Sequence, residues 1–208
     1  MSSHRTPKAD AHHDALPGIL RTTHGMTHND LVKEIRSSAE RLIEASSTLI
    51  VVHSFAASAE MVCRGIEMVA GYFAGSAART PSRGNFLRFA EHYLPDLGKT
   101  SPGDLALVGP PYRLLATCAE AVHAAWQGGL FHDGERPTGI RVVDDKGRWM
   151  LSFLADGSAR LNAIPFQSQF ERGLKSYLGG LVRDPELAAR AVRRSAFLAR
   201  PAFAHGDG

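Results

Sequence analysis

The 208-residue chain is poor in the features that staple, anchor or strongly charge a protein. Its two cysteines, Cys63 and Cys118, form no C-x-x-C pair and sit in apolar, helix-like surroundings. A disulfide framework and a zinc module are thereby excluded, and both are read as core thiols of a reducing compartment. Long hydrophobic runs are missing too. The longest, residues 49–55, is broken by His53 and falls far below the roughly 18 residues that span a bilayer. The first fourteen residues lack the apolar core of a signal peptide, so the expected setting is cytoplasmic, with no membrane partner. Surplus charge of one sign is also absent: 24 Lys and Arg face 21 Asp and Glu, a net charge of +3. That is too little to coat nucleic acid by charge alone, so any RNA or DNA contact must be local.

Signatures of familiar chemistry are equally scarce. Gly71-x-x-x-Gly75 lacks the Lys-Ser/Thr of a phosphate loop, and no serine lies in a G-x-S-x-G elbow. Asp133, Asp144 and Asp145 raise the question of a divalent metal, but the last two fall at a turn, where aspartate serves turn chemistry. Four histidines before residue 28 lie in a segment without the apolar period that would build a rigid metal frame. The expectation is no cofactor and no metal.

What is present suits one globular domain: 44% of residues are apolar and 22% charged. Residues 1–28, rich in Ser, His, Thr, Pro and Gly, read as a disordered arm. Leu31, Ile35, Ala39, Leu42 and Ile43 then recur at helical spacing behind a cap at residues 27–30. The next stretch, 46–55, suits either a buried helical segment or a strand. Ala59, Val62, Cys63, Ile66, Val69 and Phe73 mark a core helix ending near Gly75. Phe86, Phe89 and Tyr93 mark a short helix stopped by Pro95, and a helix starting at Pro111 carries the seam Leu115, Cys118, Val122, Trp126. Alternation through Ile140, Val142, Trp149, Leu151, Phe153, Leu161 and Ile164, punctuated by Asp-Lys-Gly and Asp-Gly turns, predicts a small antiparallel meander at about 140–165. Helical spacing returns after Pro165 and again from Pro185. The predicted class is mainly α, an α+β helical bundle with a small antiparallel sheet before its C-terminal helices. Residues 29–182 form the domain, and 183–208 a basic helix and tail.

The most informative stretch is residues 114–134, LLATCAEAVHAAWQGGLFHDG. It is preceded by Phe86-x-x-Phe89-x-x-x-Tyr93-Leu94-Pro95 and followed by a Trp149-containing hairpin and Leu161-Asn162-x-x-Pro-Phe-x-x-x-Phe. In this order the features resemble a group of bacterial proteins with HEPN-like domains, a helical family whose ribonuclease members carry Arg-x4-6-His near the end of a long helix. The resemblance covers roughly residues 30–180. It implies a helical dimer with a composite groove, and carries the family histidine onto His132 and the arginine position onto Gln127. A neutral glutamine does not replace a guanidinium beside a developing phosphorane charge, and Gly128 follows it where the family often has a polar residue.

Two functions follow from the resemblance. One is a non-catalytic interaction module of a bacterial stress or defence system. The alternative is a metal-independent endoribonuclease of a toxin–antitoxin or phage-defence system. The candidate catalytic residues are His132, Gln127, Glu120 and His123. His132 lies past a helix C-terminus, where the dipole favours its charged form, while Glu120, His123 and Gln127 are spaced to share a helical face. That face suits an acid-base pair, a polar subunit contact or simple solvation. Arg190, Arg193 and Arg194, in a segment with five arginines against two acids, are the candidates for an RNA or acidic protein partner, or a solvated basic face.

Overall fold

The computed structural model describes residues 27–99, 117–134, 139–145, 149–154 and 159–200. The expected N-terminal arm lies almost wholly outside these, as do the linker around Pro110, the helix start at Pro111 and the C-terminal tail. Six helices and four short strands are present among the described residues, a mainly helical α+β protein. None of these helices is long and apolar enough to cross a membrane.

Helix α1 (His28–Val51) begins with a capping box in which the Thr27 hydroxyl accepts from the Asp30 amide and the Asp30 carboxylate accepts from the Thr27 amide. It buries Leu31, Ile35 and Ala39, as their spacing predicts. The ambiguous stretch after residue 46 is helical to Val51, and the chain then reverses through His53, which holds a left-handed φ of 58°. Helix α2 (Phe55–Ala74) is the centre of the molecule, packing against α1, α3 (Arg83–Tyr93), α5 (Ala163–Arg183) and α6 (Pro185–Leu198). Such a position needs apolar residues nearly all round, and α2 buries Ala59, Val62, Cys63, Ile66, Val69 and Ala70. At its crossing with α5, Gly65 lets the Phe170 ring approach; a Cβ there would lie 2.6 Å from that ring.

Helix α4 (Cys118–Gln127) starts with Thr117 capping the Glu120 amide. After it come strands β1 (Phe131–His132), β2 (Ile140–Val143), β3 (Leu151–Phe153) and β4 (Ala159–Asn162), in the spatial order β1-β2-β4-β3. The sheet is mixed, which corrects the expected antiparallel meander. β1 and β2 are parallel, β2 and β4 are parallel, and the β3–β4 pair is antiparallel. Alternation reports which side chains face the core but carries nothing about a partner's direction, and short connections made the hairpin reading the natural one. The last strand also runs directly into α5, so Pro165 lies inside the first turn of that helix instead of before it. A proline is tolerated there because the first-turn amides have no carbonyl partner.

Residues 183–200 do not stand apart from the domain. α6 packs on α2 and α1 and buries Leu187, Ala188 and Ala191.

Candidate functional site

Gln127 is the last residue of α4 and is exposed, whereas His132 lies on β1 and is only 6% exposed. The segment past the helix C-terminus is thus a strand, and its histidine is buried. His132 Nδ1 is 2.6 Å from the Gly134 carbonyl oxygen. A carbonyl only accepts, so Nδ1 carries a proton and the ring is held by its own loop. Asp133, next in sequence, is a helix cap: its carboxylate accepts from the Ala56 amide at 2.6 Å, at the first turn of α2. Ser54, the cap residue of α2, makes no such bond, so a residue from the sheet supplies the negative group at this N-terminus.

The expected polar face of α4 does not form. His123 is 8% exposed and packs edge-on against Phe86 at 4.9 Å and Trp126 at 6.0 Å. Burial, aided by the charge of Arg83, lowers its pKa from the ordinary 6.5. It is therefore a neutral core ring at neutral pH. Glu120 is half-buried and forms an ion pair with Arg83 at 2.5 Å, joining α4 to α3. Of the four candidates, Gln127 alone is exposed.

The three C-terminal arginines separate as well, correcting the idea of one basic patch. Arg194 is 4% exposed, and its guanidinium donates to the carbonyls of Ser76, Ala78 and Arg79 in the segment after α2. Arg190 is half-buried with its guanidinium 5.5 Å from the centre of the Phe73 ring, and only Arg193 is exposed. Helical spacing placed 190 and 194 together correctly. It gave no sign that the face they share points at the α2–α3 connection.

A different surface has the form of a binding site. Helices α1 and α5 run antiparallel, as shown by Gln167, which accepts from Ser46 at 2.8 Å and donates to Ser47 at 2.9 Å near one end. Beyond that polar link a groove of about 760 Å³ opens between the helices. Val32, Ile43, Leu174, Leu178 and Val182 supply its apolar surface, and Val182 is 68% exposed. Its charges are ordered along its length. Along α1 its charged residues run Arg36, Glu40 and Glu44, and along α5, whose first turns meet the end of α1 at the Gln167 link, they run Glu171 and Lys175. Arg36, Glu40 and Glu44 line the groove from the polar side of α1, and helical period alone does not reveal that α5 lies beside them.

No cluster of three or more His, Cys, Asp or Glu suited to a metal ion occurs among the described residues. The chain matches no family model, no curated protein and no solved structure.

Proposed function

We propose that the protein is a non-catalytic binding module, HEPN-like in kind and belonging to a bacterial stress or defence system, that works as a homodimer joined through the α1–α5 groove. The observation that carries this reading is the charge order of that groove. A twofold interface presents the same patch twice in opposite directions, so a patch is self-complementary when its charge reverses along its length. Rotating a second copy about an axis near Glu40 and Lys175 sets the Arg36 end of one groove against the Glu44 and Glu171 end of the other. The apolar side chains between them lose water on both copies.

The placement of the other candidates supports binding over cleavage. Gln127 brings no charge, His132 is enclosed with Nδ1 occupied, and His123 is a buried neutral ring. Sedimentation velocity over a concentration series tests the reading: wild type sediments as a dimer, and Leu178→Glu/Val182→Glu sediments as a folded monomer. A wild-type monomer at all concentrations, or RNA cleavage lost in His132→Ala, contradicts it.

A further inference from the structure

The groove between α1 and α5 is closed at one end and open at the other. Gln167 ties Ser46 and Ser47 together beyond Glu44, whereas at the start of α1 the groove runs out between Val32 and the exposed Val182. That open end is where residues 1–26 join the described chain, at Thr27, the cap residue of α1.

Those residues hold one aliphatic island, Leu16-Pro17-Gly18-Ile19-Leu20, among polar and charged neighbours. Three aliphatic side chains are too few to build a core of their own, and they gain most from a surface that is already apolar. The groove offers such a surface in Val32, Ile43, Leu174, Leu178 and Val182. The reach is sufficient. Residues 21–26 connect the island to Thr27 and span up to about 20–25 Å when extended. Along α1 the groove from Val32 to Glu44 measures about 18 Å at the helical rise, so the island reaches every part of it. The residues after Arg200 carry a single large apolar side chain, Phe203, too little to fill a groove of this size.

We infer that the N-terminal arm seats Leu16, Ile19 and Leu20 in the α1–α5 groove of its own chain, as a tethered competitor of the second copy. The inference rests on the twofold module proposed above and adds its regulation: two copies join only when both arms have left their grooves. A short tether holds the island at an effective concentration in the mM range, so a contact that is weak between separate molecules still occupies the groove within one chain. Because both copies must release an arm, the effect on the dimer is the square of the effect on one groove. A threefold excess of docked over free arm raises the dimer dissociation constant about sixteenfold.

The full chain serves for the test. Leu16→Ser/Ile19→Ser/Leu20→Ser removes the island without changing charge, and in sedimentation equilibrium its dimer dissociation constant falls at least fivefold below that of wild type. Thiol cross-linking reads the arm's position separately, since the native Cys63 and Cys118 are buried. Under one oxidant, Ile19→Cys/Val182→Cys closes a disulfide within one chain at least fivefold faster than Ile19→Cys/Lys33→Cys, although Lys33 is exposed, nearer to Thr27 in sequence and outside the groove lining. Adding Leu16→Ser/Leu20→Ser abolishes the difference. Equal dissociation constants in wild type and the serine variant, or equal closure at the two positions, overturn the inference and leave the twofold module standing. Closure between chains overturns it too, because the groove then belongs to the arm of the second copy. Faster closure at Val182→Cys with no dimer in wild type or the serine variant overturns the twofold module and the regulation with it.

Discussion

Arg194 shows most clearly how one side chain can be mistaken for a surface charge. Its planar fork gathers three carbonyls of the segment that leads from α2 to α3, so it replaces regular structure as the partner of that backbone. Arg194→Met is expected to lower stability by about 1–3 kcal/mol in denaturant unfolding, because three carbonyls lose their charge-assisted donor. Arg193→Ala, exposed on the same helix, should change it by no more than about 0.5 kcal/mol. His123 has a pH signature. Its folded-state pKa lies below 6.5, so the unfolded chain binds the extra proton first as pH falls. Its contribution to stability is complete above pH 6.5 and diminishes as pH falls from there through the lowered folded value. Thermal melts from pH 7.5 to 5 should show this loss, and His123→Leu should flatten that part of the slope. His53 carries the left-handed reversal between α1 and α2, so His53→Gly is expected to be neutral or stabilising and His53→Val to cost about 1–2 kcal/mol.

At the scale of elements, close helix crossings depend on glycines that helix propensity disfavours. A Cβ at Gly173 would lie 2.5 Å from Leu94 Cδ2 and 2.9 Å from the Tyr93 carbonyl oxygen. Gly173→Ala gains about 1 kcal/mol of propensity yet should destabilise by about 1–3 kcal/mol net, measured by urea unfolding, because α3 and α5 must move apart. The periods of α1, α2, α3 and α5 were legible in the sequence because each buries one continuous stripe or nearly its whole surface. Strand direction was not. Ile140, Val142 and Leu161 alternate correctly toward the core, but β4 inserts between β2 and β3, a choice made by tertiary packing. Of the candidate site, the residue positions were readable and their exposure was not. His132 and Arg194 are enclosed by partners that lie in other parts of the fold or in their own turn, and Arg194's carbonyls come from more than a hundred residues upstream.

For the whole molecule, net charge near zero turns out to be less informative than charge order. The chain's +3 pointed to the C-terminal helix, yet Arg194 there is consumed internally. The α1–α5 groove, nearly balanced in sign, carries its information in sequence along its axis, with Arg36 and Glu44 on one helix separated by Glu40. Because both partners of the proposed contact reside in every copy, a charge swap gives the most direct test. Arg36→Glu and Glu44→Arg are compared singly and together by sedimentation equilibrium at low and moderate salt. Each single variant should weaken the dimer at least fivefold, and the double variant should restore it to within about twofold of wild type, with the differences shrinking as salt rises. A double variant as weak as either single one, or three variants dimerising as tightly as wild type, would contradict a twofold module built on this groove.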